Sequence, residues 1–298
     1  MILPVMLFQL MVVLSSYSSL IIPAVANKPG CLTSCGNVSI PFPFGIGTGC
    51  YLDHWFAVTC RSSKPFLTSI NQLVQLEVLN ISLEENTMVV NHPVFNSCVG
   101  AKWSESANLE NSPFFFSQTG NILYGRGCYF LAYIQHNETF AGCYCSCYIK
   151  GDSTACLGIN CCQSKIPYYL QLFTASFDST RRTDNNTTNE ECKLVFVVQE
   201  EWLIQKKWNP GNLTNVPVVL DWGVPKSSFH LLNINTSTSS CKDIPNSTST
   251  DANKSSSSTS TTAWNYQCNC NQGFQGNPYD LVEGCQGYSL ALPDPVSP

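Results

Sequence analysis

Cys35-Gly36-Asn37-Val38-Ser39-Ile40-Pro41-Phe42-Pro43-Phe44-Gly45-Ile46-Gly47-Thr48-Gly49-Cys50 is the stretch that decides how this chain is read. Pro41 and Pro43 hold the backbone extended, and Phe42 and Phe44 alternate with them. Gly45, Gly47 and Gly49 permit close approach and a sharp turn before Cys50. A glycine-rich loop also occurs where phosphates are bound. Here no Lys follows the glycines and no helix opens after them, so the phosphate reading fails. What remains is an extended segment bracketed by cysteines.

Strand signals continue outward from it. Leu79, Ile81 and Leu83 alternate with Asn80, Ser82 and Glu84, the period-two pattern of a strand with one wet face. Glu84-Glu85-Asn86-Thr87 reads as a turn and Met88-Val89-Val90 as the returning strand. Residues 193–198 form a β-branched run typical of a buried strand, and Val218, Leu220 and Trp222 share one face. Phe114-Phe115-Phe116 and Tyr129-Phe130-Leu131 are further strand candidates. Residues 166–177 are expected to hold a short helix. Residues 179–191 and 233–262 are polar, and the second ends in a Ser/Thr run that cannot bury enough apolar surface to order itself. The fold class is therefore mainly β.

Composition sets the compartment. Of 298 residues 17 are Cys, and only 12% are charged against a usual ~25%. So many thiols point to an oxidising compartment and a disulfide framework. Fifteen Lys and Arg against 20 Asp and Glu give a formal charge of −5, which argues against a nucleic-acid binder. Residues 1–26 read as a secretory signal: 1–14 are almost wholly apolar, and Ala24-Val25-Ala26 supplies the small-x-small cleavage pattern. Serines 15, 16, 18 and 19 interrupt the run short of the ~20 apolar residues that a membrane span needs. The expected location is extracellular, with a plasma-membrane place only if the gene product continues into a membrane helix. Asn-x-Ser/Thr acceptors at Asn37, Asn80, Asn137, Asn185, Asn186, Asn212, Asn235, Asn246 and Asn253 fit an exported glycoprotein.

The Cys35–Cys50 stretch resembles the galacturonan-binding domain of plant wall-associated receptor kinases. Phe56-Ala57-Val58-Thr59-Cys60 resembles that domain's next strand and Cys. Residues 114–117, Asn121 and Gly127-Cys128 are similar to the next family region. Cys156-Leu157-Gly158-Ile159-Asn160-Cys161-Cys162-Gln163-Ser164-Lys165-Ile166-Pro167 is similar to the wall-associated kinase segment. Tyr266-Gln267-Cys268-Asn269-Cys270 with residues 273–279 and Gly284-Cys285 resembles the second half of an EGF-like module. The resemblance implies a signal over 1–26, a galacturonan-binding-type unit over 27–100 and a wall-associated-kinase-type β region over 101–232. A Ser/Thr-rich linker over 233–263 and a partial EGF-like module over 264–298 complete it. The chain has no nucleotide loop before a Val-Ala-x-Lys strand, no His-Arg-Asp and no Asp-Phe-Gly, so it is no kinase.

Seventeen cysteines leave one over. The resemblance expects Cys143 and Cys147, so Cys145 is the candidate free thiol. The other sixteen, Cys31, Cys35, Cys50, Cys60, Cys98, Cys128, Cys143, Cys147, Cys156, Cys161, Cys162, Cys192, Cys241, Cys268, Cys270 and Cys285, are expected in disulfides. Family connectivity implies Cys270 with Cys285 and leaves Cys241 for Cys268. Cys-x-Cys and Cys-Cys are not zinc spacings, and exported thiols oxidise, so no metal is expected. The module also lacks calcium ligands, and no cofactor is expected.

The four histidines sit in no nucleophile or zinc motif, and the paired glutamates lie in polar contexts. The expected role is non-catalytic binding of cell-wall pectin or an oligogalacturonide. Binding a polyanion needs a local cation cluster, or Ca²⁺ carried by the polymer. Arg61, Lys64, Lys102 and Arg126 are the candidates, with Arg61 and Lys64 the best pair. Tyr51, Trp55 and Trp103 can stack on sugars, although core packing is the commoner fate of aromatics. A scaffold or soluble decoy that pairs with a receptor kinase ectodomain is the main alternative. An exported hydrolase is the third.

Overall fold

The computed structural model describes residues 30–68, 76–96, 104–137, 139–147, 156, 159–179, 193–206, 214–245, 264–280 and 282–288. The strands are β1 (Ser34–Cys35), β2 (Val38–Ser39), β3 (Gly45–Ile46), β4 (Ala57–Arg61), β5 (Lys64–Leu67), β6 (Leu76–Ser82), β7 (Thr87–Pro93) and β8 (Phe95–Asn96). Next come β9 (Ser104–Glu105), β10 (Phe114–Phe116), β11 (Asn121–Arg126), β12 (Phe130–His136), β13 (Thr139–Cys145), β14 (Cys161–Lys165), β15 (Thr174–Ser179) and β16 (Leu194–Gln199). The last are β17 (Asn215–Trp222), β18 (Val224–Pro225), β19 (Ser239–Pro245), β20 (Trp264–Cys270), β21 (Phe274–Gly276) and β22 (Cys285–Gly287). Two short α-helices, α1 (Glu200–Gln205) and α2 (Lys226–Phe229), and a 3-10 helical turn over His54–Phe56 complete the set among the described residues. The protein is mainly β and disulfide-rich.

A seven-stranded sheet in the order β10-β17-β7-β6-β5-β4-β3 is the centre. A four-stranded sheet, β14-β11-β16-β8, meets it through β16 and β17. A second, β13-β12-β15-β9, lies against the first. Strands covered on both faces read as continuous apolar runs rather than alternating ones. Residues 194–198 and 216–220 do so and are buried throughout. Asn121 ties the layers together. Its amide nitrogen donates to the carbonyls of Ser117 (2.8 Å) and Val219 (2.7 Å), and its oxygen accepts from Val219 N–H (2.8 Å). Both donors of this amide and one acceptor site of its oxygen are therefore used inside the core.

The quoted stretch supplies the other half of the core. Phe44 meets Phe56 and Trp222 edge-on, each at 5.1 Å between ring centroids. Gly45 cannot be replaced, because a Cβ there would stand 2.1 Å from the Cys50 carbonyl oxygen. Cys31–Cys50 closes the segment and Cys35–Cys60 ties it to β4.

Strand pairing crosses two of the expected boundaries, and two local expectations change. The central sheet runs across residue 100, since β10 and β17 join β3 to β7. Residues 239–245 of the expected linker form β19, paired along its length with β20 and crosslinked by Cys241–Cys268; 246–263 lie outside the described residues. Composition alone does not show a pairing partner. Residues 166–173 hold no helix. They cap β10, with Phe116 N–H donating to Leu170 O (2.8 Å) and the Gln171 amide donating to Ser112 O and Phe114 O (3.0 Å each), and 174–179 is β15. Finally, a bulge between Val78 and Asn80 turns Leu79 outward while Leu76, Val78 and Ile81 stay buried.

Candidate functional site

Among residues 31–92 the only Lys or Arg residues are Arg61 and Lys64. The β4–β5 hairpin brings them together. Ser62 and Ser63 both have positive φ, +49° and +61°, the geometry of a two-residue turn matched to strand twist. Arg61 therefore pairs directly across from Lys64 on one face. Two like charges placed opposite repel, and a neighbour relieves this. The Lys64 ammonium lies 2.8 Å from Glu77 on β6, and the Asn91 amide on β7 donates to the same carboxylate at 3.2 Å. Lys64 accordingly holds the Glu77 carboxyl below its ordinary value. Arg61 is exposed and has no ion pair among the described residues. The hairpin thus offers one uncommitted guanidinium beside one partly committed ammonium.

Gly36 lies against this turn, where a Cβ would be 2.1 Å from the Ser63 carbonyl oxygen. The exposed Asn37 acceptor is consequently next to the hairpin. Asn80, Asn137 and Asn235 also face water, while Asn185, Asn186, Asn212, Asn246 and Asn253 lie outside the described residues. Of the other two candidate cations, Arg126 does not join Arg61 and Lys64 on the hairpin. Arg126 stands on β11 in a different sheet, and Lys102 lies outside the described residues. Tyr51 and Trp55 pack partly buried against the core, and Trp103 is outside the described residues.

Among the described residues seven disulfides join Cys31–Cys50, Cys35–Cys60, Cys128–Cys147, Cys143–Cys162, Cys156–Cys161, Cys241–Cys268 and Cys270–Cys285. Cys98 and Cys192 lie outside the described residues. Cys145 is a buried free thiol.

An open cleft of about 760 Å³ lies where the central sheet, the β16–α1 corner and the β19–β20 pair meet. Its walls carry Glu85, Glu200, Glu201, Asp221, Tyr168 and Tyr169, with Lys242 at the side. Burial pushes the Asp221 carboxyl up, against Ser117 and Lys242, which favour its charged form. Sequence reading gave Glu200 and Glu201 only as surface charge and gave no role to the tyrosines. The signal lay in three segments far apart in the chain, joined only by the fold.

A family model described as wall-associated receptor kinase galacturonan-binding matches residues 31–92, and one described as wall-associated kinase matches 153–228. The chain is 30% identical over 284 residues to wall-associated receptor kinase 5 of Arabidopsis thaliana, covering 87% of this chain and 34% of that protein. It is 27% identical over 321 residues to wall-associated receptor kinase-like 10 of the same plant, covering 89% and 40%. The corresponding values for wall-associated receptor kinase 1 are 28%, 87% and 35%. The chain thus spans well under half the length of these relatives, and neither family match covers a kinase domain. No solved structure matches it. These matches support a wall-associated-receptor-kinase-like extracellular region.

Proposed function

We propose that this receptor-like ectodomain binds de-esterified galacturonan without catalysis, through the β4–β5 hairpin. The observation that carries the reading is the galacturonan-binding match over 31–92, in which Arg61 and Lys64 share one face of one hairpin. A galacturonate carboxylate fits the fork of Arg61, which can donate two parallel hydrogen bonds. Lys64 adds a point charge already shared with Glu77. Two exposed cations make a weak site per sugar repeat, so useful affinity comes from a polymer presenting many carboxylates.

The test is binding of an oligogalacturonide to the full chain by calorimetry at low and high salt. Arg61→Ala is expected to weaken binding by about tenfold and Lys64→Ala by about threefold, because only Arg61 is uncommitted. Glu77→Gln should tighten it by freeing Lys64. Binding that ignores salt and all three substitutions sinks the hairpin assignment. Release of reducing ends during incubation sinks the non-catalytic reading.

A further inference from the structure

We propose that the 760 Å³ cleft is a second binding site, distinct from the hairpin, and that its occupant is a basic peptide segment. The charge of the walls comes first. Four carboxylates, Glu85, Glu200, Glu201 and Asp221, face one ammonium, Lys242. Lys165 neutralises Glu200 at 2.7 Å from outside the lining. Glu85 accepts only from the Thr87 hydroxyl (3.3 Å) and Glu201 only from the Gln205 amide (3.4 Å), and neither has a cation partner among the described residues. A polyuronate entering this cleft meets like charge. A Lys or Arg side chain meets complementary charge, which steers association and suppresses the wrong partner.

The aromatic lining points the same way. Tyr168 is 69% exposed and Tyr169 46% exposed, with ring centroids 6.1 Å apart. Both rings are offered at the cleft, and a cation over a tyrosine face within about 6 Å gains attraction from the ring. The rings are held in place. Tyr169 packs edge-on against the buried Phe115 at 5.9 Å, and the next two residues are bonded to β10. Tyr169 also holds φ at +55°, which a bulky side chain seldom adopts. Ile204, half exposed on α1, adds apolar area between the charged groups. Carboxylates set among exposed tyrosines and an aliphatic patch fit a peptide that alternates cations with apolar side chains.

The experiment uses the full chain and fluorescein-labelled hexa-arginine, read by anisotropy. An uncharged Gly-Ser hexapeptide and cellohexaose serve as separate probes. Hexa-arginine should bind and weaken as salt rises, and the Gly-Ser peptide should not bind. Glu85→Gln with Glu201→Gln should weaken binding by about tenfold, two exposed ion pairs' worth. Tyr168→Ala should weaken it by about threefold, the value of one exposed cation–π contact. All three positions are at the surface, and unchanged far-UV dichroism and Tm confirm that the variants fold. Arg61→Ala should leave hexa-arginine binding unchanged, so failure here and failure of galacturonan binding are separable. The proposal is overturned if hexa-arginine does not bind, if both cleft variants bind as the parent does, or if cellohexaose binds and displaces the peptide.

Discussion

His92 sits on β7 with its ring fully enclosed between Phe173, stacked at 5.8 Å, and Phe116, edge-on at 5.7 Å. Its Nε2 accepts from Ala107 N–H (3.3 Å) and its Nδ1 faces the Pro93 carbonyl (3.0 Å), so the neutral ring with the proton on Nδ1 satisfies both contacts. Burial lowers its pKa from 6.5 to about 4, partly offset by the Pro93 carbonyl. The sign follows from linkage. Between pH 6.5 and about 4 the unfolded chain binds this proton and the folded chain refuses it, so stability falls as pH falls. From pH 7 to pH 5 the loss amounts to about 2 kcal/mol. Urea unfolding at the two pH values should show it in the parent. In His92→Gln the drop should shrink, whatever the variant's stability at pH 7. Equal drops in both proteins would assign the pH response to other groups. His92 shares the buried parity of β7 with Met88 and Val90, and its enclosure is completed by Phe116 and Phe173, distant in the chain.

At the scale of elements, β11, β13 and β14 build a sulfur cluster. Cys143 and Cys145 lie two residues apart on β13 and so share a face. Cys143 is bonded to Cys162 on β14, and the Cys145 sulfur lies 2.9 Å from that same Cys162 sulfur. The cluster fits because β11 carries Gly125 opposite Cys162. A Cβ there would meet Ala132 at 2.6 Å and both sulfurs at 3.1 Å. Burial pushes the Cys145 thiol up to about 12, so it is neither ionised nor accessible in the folded state. Without reductant, Ellman's reagent should find no thiol in the native protein and one after unfolding in urea. A thiol that reacts rapidly in the native protein would contradict the burial. The odd cysteine count made a leftover thiol legible, and the family spacing singled out Cys145; that it is enclosed was not. The same divide holds elsewhere. The run 194–198 announced a strand because apolar residues at every position need cover on both faces, and Val218, Leu220 and Trp222 announced another by sharing one face. The bulge at Leu79, the coil over 166–173 and the β19 strand did not. Each is set by a pairing partner outside the segment itself: the β7 register, the β10 edge, and β20 with Cys268. The candidate cation pair was readable as Arg61 and Lys64 just after Cys60, whereas the cleft was not, since no local pattern joins Glu85, Tyr168 and Glu201.

For the whole molecule, the C-terminal segment has a buried connection to the rest of the fold. Trp222, at the end of β17, meets Phe44 on one side and Tyr279 at 5.4 Å on the other. Tyr279 is fully buried; its hydroxyl donates to Asn86 Oδ1 (2.6 Å) and accepts from Cys268 N–H (2.7 Å). Asn86 reaches back to Asn269 (3.1 Å), whose own amide donates to Glu84 O (2.5 Å). Asn277 donates to Phe42 O (2.5 Å), and Gln267 to Trp222 O (2.8 Å). The module therefore shares both apolar core and polar network with the quoted N-terminal stretch and with the β6–β7 turn. Two units joined by a solvated tether would unfold separately, whereas a shared buried network couples them. Thermal unfolding should give one transition, the same by tryptophan fluorescence and far-UV dichroism. Tyr279→Phe keeps the ring but strands the Asn86 carbonyl and the Cys268 N–H, at a cost of about 1–3 kcal/mol. That cost should lower the single transition as a whole. A variant that melts the C-terminal segment first, leaving the Trp222 signal at the parent's temperature, would show that the module is an appendage and that its contacts do not support the sheet behind them.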